Sequence, residues 1–131
     1  MDLQNYDISI ISDPHVLSSD LISNSEEFIK EIKIERKLTV ESEDLFKEAL
    51  AMVDKANSQF LFLPGDLVKE GEYKSHEFVR ENLLAWKNKN KDREIFLIPG
   101  NHDLNNHRSY DFKNNRKAKN TNPREFYKLY N

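Results

Sequence analysis

The sequence predicts an α/β fold with parallel strands joined by helical crossovers. Three observations carry that expectation. Short apolar runs at residues 8–12, 60–63 and 95–98 read as strands. Between them lie segments whose apolar residues recur at spacings of three and four, as an amphipathic helix requires. The second and third runs end on the same punctuation, Pro64-Gly65 and Pro99-Gly100. The resulting order is β-α-β-α-β. Runs apolar on both faces suit parallel strands covered by helices on each side, with right-handed crossovers.

Each element has its own justification. The first strand, rich in isoleucine, stops at Asp13-Pro14, because proline cannot extend a ladder. Residues 16–38 begin crowded with Ser, Asp and Asn; Phe28, Ile29 and Ile32 then predict a short helix. From Glu41 the residues Leu45, Phe46, Ala49, Leu50, Val53 and Ala56 form one helical face, and Glu41, Glu43 and Asp44 occupy the first turn, where the helix dipole favours negative charge. After the second strand, a helix over residues 75–88 is expected to bury Phe78, Val79, Leu83 and Trp86. A polar break at 88–93 leads to the third strand. A last short helix follows Pro123, with Phe126, Leu129 and Tyr130 apolar.

Composition bounds the function. A chain of 131 residues favours one domain. The net charge of -3 argues against a whole-protein polyanion binder. The charge is uneven, however: residues 1–56 hold 6 basic and 13 acidic side chains, and the remainder 14 and 10. The basic excess centres on Arg116, Lys117 and Lys119 within residues 108–119. The ordinary reading is a solvated loop; the sharper one is a patch steering an anionic substrate. Without cysteine there is no disulfide, thiolate metal site or cysteine nucleophile. No apolar run approaches the roughly 18 residues of a membrane span. The start of the chain lacks the layout of a signal peptide, so a cytoplasmic location is the default expectation, with export after leader removal left open.

The chemistry lies at the strand ends. Two of the three glycines stand in near-identical settings, Leu63-Pro64-Gly65-Asp66 and Ile98-Pro99-Gly100-Asn101. Each places a polar side chain beyond the carboxyl end of a strand, the edge where open parallel sheets bind ligands. Asp13 and His15, two residues apart, would share one side of an extended chain. Asp66 follows the second strand; Asn101, His102 and Asp103 follow the third. Carboxylate, imidazole and amide oxygen without sulfur suit Mn²⁺, Fe or Zn²⁺. A central carboxylate with ligands on both flanks is what bridging two cations requires, and two metals about 3.5–4 Å apart can clamp a phosphoryl displacement. Singly, each of these residues reads as a turn former; together, in order after successive strands, they read as a metal site. His76 reads as a surface or capping residue near a helix start. His107 reads as a structural or substrate-contact residue, with a substitute metal ligand as the alternative.

Asp13-Pro14-His15, Gly65-Asp66 and Gly100-Asn101-His102-Asp103 resemble the first three signature blocks of the calcineurin-like metallophosphoesterases. The resemblance implies a double-sheet α/β sandwich with a dinuclear metal site. It makes Asp13 and His15 ligands of one metal, Asp66 the bridging ligand and Asn101 a ligand of the second. His102 becomes the non-ligand histidine that protonates the leaving oxygen or stabilises charge, Asp103 its orienting group, and a metal-bridging hydroxide the nucleophile. Residues 70–76, 102–106 and 122–130 are most similar to bacterial members that resemble class III cyclic-nucleotide phosphodiesterases. The family pattern continues with a further ligand histidine and a Gly-His-x-His block, and neither occurs in these 131 residues.

The resemblance therefore implies the amino-terminal β-α-β-α-β half of one metallophosphoesterase domain, which would hold two divalent cations when complete. A half-sandwich exposes an apolar sheet face, so self-association or complementation by a second chain is expected. The expected activity is metal-dependent hydrolysis of a small phosphodiester or phosphomonoester, a cyclic nucleotide first among them, with this chain alone expected to be inactive. One alternative is a catalytically inactive half-domain serving as a metal-binding or assembly module. Another is a nuclease of the same superfamily, whose support is the basic segment and whose signature is steep salt dependence. A P-loop or dinucleotide-binding protein is set aside, since neither glycine-rich element is present. Residues 16–38, long and directly after the first ligand pair, are the expected determinant of substrate choice.

Overall fold

The computed structural model describes residues 6–131. Its elements are β1 (Ile8–Ile10), a 3-10 turn (Ser19–Leu21), α1 (Glu26–Ile34), α2 (Ser42–Lys55), β2 (Phe60–Leu63), α3 (Tyr73–Lys87), β3 (Glu94–Leu97), the short strands β4 (Tyr110–Asp111) and β5 (Arg116–Lys117), and α4 (Pro123–Tyr130). The three long strands form a parallel sheet in the order β1-β2-β3, with Ile10 opposite Phe62 and Phe62 opposite Phe96. The class is α/β, as expected. Parallel pairing in chain order brings all three carboxyl ends to one edge.

Alternation along the strands sorts the apolar side chains. Leu61 and Leu63 are buried, and with Ile11, Ile95 and Leu97 they pack on Phe46, Leu50 and Val53 of α2, Val79, Leu83 and Trp86 of α3, and Phe126 of α4. Ile8, Ile10, Phe62, Phe96 and Ile98 point the other way and are exposed. The Phe62 and Phe96 rings stack there with centroids 5.0 Å apart. The expectation of helices on both faces is thus corrected: among the described residues they cover one. A run apolar on both faces records that both are made for burial, and it carries no information on what covers each.

Helix ends follow their local chemistry. Ser25 caps α1 by accepting from the Phe28 N–H, and Asn122 with Glu125 forms a capping box at α4. Phe28 packs on Phe112, ring centroids 5.0 Å apart, in a second small core with Leu17 and Leu21. Leu45 on α2 and Ala56 just past its end are exposed, so the buried face is narrower than the periodicity implied.

The basic segment folds as the β4–β5 hairpin rather than as a loop. Two of its charges have partners: Arg116 lies 3.7 Å from Asp111, and Lys119 lies 3.1 Å from Glu125 and over the Tyr73 ring. His76, expected at the surface, is fully buried. One ring nitrogen faces the Tyr130 hydroxyl at 2.9 Å; the other, at 3.0 Å from the Asp103 carbonyl, must carry the proton because a carbonyl only accepts.

Two buried groups give stability opposite pH slopes. Burial pushes His76 down to about 4 and, despite backbone N–H donors, pushes Glu72 up to about 7. The unfolded chain protonates its histidine near 6.5 and ionises its glutamate near 4.5. His76 therefore loses stability as pH falls from 6.5 towards 4, and Glu72 loses it as pH rises from 4.5 towards 7. Between those limits the two slopes oppose. Glu72→Gln should unmask the histidine: its melting temperature should fall on acidification from pH 6.5 to 4.5, by the equivalent of about 1–3 kcal/mol. A flat profile in the variant would show that His76 is not held neutral by burial, and a parent chain as steep as the variant would show that Glu72 is ionised in the fold.

Candidate metal centre

The site is built from three turns at the carboxyl edge of the sheet. Asp13, His15 and Asp66 have φ of 53°, 43° and 50°, and Gly65 has φ of 102°. The extended geometry expected at Asp13 and His15 is therefore corrected. Both occupy the left-handed region flanking Pro14, and left-handed turns, not strand alternation, bring them together. Non-glycine residues in this region cost about 1–3 kcal/mol each and cluster where function requires them.

The turns after β2 and β3 touch back to back. A Cβ on Gly65 would lie 2.8 Å from the Gly100 nitrogen, and one on Gly100 would lie 2.5 Å from the Asp66 nitrogen and closer still to its carboxylate. Only glycines permit this approach. Gly100→Ala is expected to destabilise the fold by about 1–3 kcal/mol and to weaken metal binding by displacing Asp66. Thermal unfolding and Mn²⁺ titration check this, and unchanged values in both would show that the turns can separate freely.

Backbone bonds extend the register past the turns. The His15 N–H donates to the Asp66 carbonyl at 3.1 Å, the Val16 N–H to Leu67 at 3.0 Å and the Lys69 N–H back to Val16 at 3.0 Å. One ligand-type atom from each of His15, Asp66 and His102 lies within 4.8 Å of the others. His15 Nε2 stands 3.8 Å from Asp66 Oδ2 and 4.0 Å from Asp13 Oδ1. The other Asp66 oxygen accepts the His102 backbone N–H at 3.0 Å. The His15 and His102 rings meet edge to face, centroids 4.9 Å apart. Burial, then the Lys37 charge, lowers the His15 pKa against the pull of Asp66 and Asp13. A neutral His15 offers a lone pair at neutral pH.

His102 is held through its other nitrogen. Nδ1 lies 2.7 Å from the Lys69 carbonyl and must carry the proton, which leaves the lone pair on Nε2. Asp103 does not reach this ring, so its expected orienting contact is corrected. Its buried carboxylate accepts instead from the Val68 and Gly100 N–H groups, at 3.0 and 2.7 Å, tying one site turn to the other. Burial raises its pKa, and those N–H groups offset part of the rise. Asn101 is exposed on the turn between Gly100 and His102, and its amide makes no hydrogen bond among the described residues. His107 is exposed and outside the cluster.

Sequence reasoning missed Lys69 and Glu70. Lys69 is 3% exposed, with its ammonium 3.0 Å from Glu31 of α1 and 2.7 Å from Glu35, which caps the carboxyl end of that helix. Glu70 approaches His102 Nδ1 to 3.3 Å. A Lys-Glu pair between a strand and a helix reads as solvated loop, so no local signal distinguished them.

The donor set fits a divalent cation. Gaps of 3.8–4.0 Å between His15 Nε2 and two carboxylates are too long for hydrogen bonds. They are near the ligand–ligand separation, roughly 3–3.5 Å, that follows from metal–ligand bonds of about 2.0–2.2 Å. His15 and Asp66 would hold one ion, while Asp13 approaches His15 but stands outside the group whose ligand atoms all lie within 4.8 Å of one another. Asp66 and Asn101 alone offer a second fewer ligands than a closed site uses. No helix among the described residues is long and apolar enough to cross a membrane. No curated protein matches the chain. Residues 6–131 match the family model for calcineurin-like phosphoesterases, Metallophos, and the chain accordingly belongs to that family.

Proposed function

We propose that this chain carries the amino-terminal part of a dinuclear, divalent-metal-dependent phosphoester hydrolase. The observation that supports it best is the convergence of His15, Asp66 and His102, one from each strand end, within 4.8 Å. Asp13 and His15 would hold the first cation, and Asp66 and Asn101 would be available to a second, with Asp66 central to both. Bound cations would supply Lewis-acid polarisation and a water acidified towards neutrality. The chain's own residues orient the phosphoester, and His102 Nε2 faces the departing oxygen. Asp103 acts by locking the two site turns together.

A phosphodiester of the cyclic-nucleotide type is the first substrate to test, with a phosphomonoester second. The experiment is Mn²⁺-dependent hydrolysis of a chromogenic phosphodiester by the 131-residue chain, with Asp66→Asn as control. Activity abolished by the control supports a site completed by His107 or by a second copy. A folded chain without activity supports a half-domain needing further histidines.

That second reading, a non-catalytic metal-binding or assembly half-domain, is favoured by the shortage of ligands for a second ion and by the exposed sheet face. Metal stoichiometry separates the two: a working site takes two ions per active unit, the half-domain one or none. Self-association through Ile8, Ile10, Phe62, Phe96 and Ile98 accompanies it, and Phe62→Lys should then shift the sedimentation coefficient towards monomer. An unchanged sedimentation coefficient would assign that face no role in association. The nuclease reading draws less support, since Arg116 and Lys119 of the hairpin region are already paired.

A further inference from the structure

We propose that residues 29–40 form a docking surface for an anionic lipid bilayer, with exposed aliphatic side chains set among unpaired cations. Helical spacing sorts the residues of α1. Phe28 and Ile32 pack inward with Leu17, Leu21 and Phe112, and Glu31 and Glu35 turn to the buried Lys69 ammonium at 3.0 and 2.7 Å. These four recur at steps of three and four and take the inner side. Ile29, Lys30, Lys33 and Ile34 are left on the outer side, exposed, and the chain runs on through Arg36, Lys37, Leu38 and Val40, exposed as well. The aliphatic side chains among them are well out in water, Ile34 at 83% and Leu38 at 63% exposure.

Lys69 decides the sign of this surface. By drawing Glu31 and Glu35 inward it leaves Lys30, Lys33, Arg36 and Lys37 facing water, and none of the four forms a salt bridge among the described residues. Glu26 and Glu27 flank the segment at one end and Glu41 at the other, so the cations hold its middle. A leaflet supplies what such a surface lacks: anionic headgroups for the cations and acyl chains for the aliphatics, with the lysine stems reaching between the two. A protein partner fits it less well, because the outer side of a helix is convex and this one carries no Trp or Tyr to anchor in a pocket. The segment is tied down at both ends. Glu35 is held by Lys69 and by the Thr39 hydroxyl at 2.6 Å, and the Leu17 N–H donates to the Ser42 hydroxyl at 3.0 Å. Both ties adjoin the metal centre, since the Lys69 carbonyl holds His102 and Leu17 follows His15 by two residues.

Co-sedimentation of the 131-residue chain with vesicles tests this without reference to turnover. At about 0.1 M salt, equal-part phosphatidylserine–phosphatidylcholine vesicles should bind the chain at least roughly tenfold more tightly than phosphatidylcholine alone, and the gain should shrink as salt screens it. Lys33→Ser combined with Lys37→Ser should weaken that binding by about 25-fold, since each cation near an anionic leaflet strengthens it by roughly fivefold. Ile34→Ser combined with Leu38→Ser should weaken it by roughly tenfold. All four side chains are exposed, so both double variants should melt as the parent does. Phe96→Ser, on the uncovered sheet face, should bind as the parent does. Equal binding to both vesicle types, a parent chain that binds neither, or folded double variants that bind like the parent would overturn the proposal. Loss in Phe96→Ser alone would overturn it too, by assigning the contact to the sheet.

Discussion

Asp66→Asn is expected to weaken Mn²⁺ binding by about 100-fold or more, and Asp13→Asn by about tenfold. The difference follows from where the two carboxylates sit. Asp66 is central: one oxygen accepts the His102 N–H at 3.0 Å and the other faces His15 Nε2 at 3.8 Å. An asparagine that keeps its oxygen on His102 turns an NH₂ donor towards the cation. One that flips keeps the ligand and presents a donor to a donor at His102. Either orientation loses one function. Asp13 is peripheral, with its side chain 60% exposed and 4.0 Å from His15. Calorimetric Mn²⁺ titration of both variants checks the order, and equal losses would remove Asp66 from the bridging role.

His102→Ala should lower turnover by roughly 10²–10⁴-fold, the range of a positioned general acid, while metal content stays near that of the parent. Alanine keeps the backbone N–H that supports Asp66, so the central carboxylate retains its orientation. The variant removes Nε2 together with the Nδ1 bond to the Lys69 carbonyl and the ring contact with His15. Metal analysis beside kinetics on good and poor leaving groups separates the roles. A loss confined to poor leaving groups marks protonation of the departing oxygen, for which Nε2 must first take up a proton, since the neutral ring carries its hydrogen on Nδ1. Loss of metal would recast His102 as a ligand, which its place in the 4.8 Å cluster makes geometrically accessible.

Several features were legible before any coordinates. Apolar periodicity marked β1, β2, β3, α2, α3 and α4, because helix and strand repeats differ so strongly that core-facing residues reveal them. Phe28, Ile29 and Ile32 likewise announced α1, of which only Phe28 proved fully buried. The convergence of His15, Asp66 and His102 could be anticipated because parallel strands in series put their carboxyl ends on one edge. The Pro-Gly pairs marked where those ends lie.

What stayed hidden depends on contacts distant in sequence. His76 looked like a surface histidine until Tyr130 and the Asp103 carbonyl, 54 and 27 residues away, closed over it. Asp103 missed its expected neighbour: adjacency suggested it for His102, but its carboxylate bonds the Val68 and Gly100 N–H groups. The hairpin escaped because strands of two residues have no periodicity to detect.

By itself, then, the sequence determined the class, the order of elements and which residue types meet at the sheet edge, since these follow from local pattern and chain order. The tertiary structure alone decided that left-handed turns aim Asp13, His15 and Asp66, that the described residues leave one sheet face uncovered, and which backbone groups the Asp103 carboxylate holds. Those outcomes turn on ångström-scale approaches such as Gly65 against Gly100, and a backbone dihedral or a hydrogen-bond partner is selected by the neighbour that packing supplies, not by the residue next in the chain.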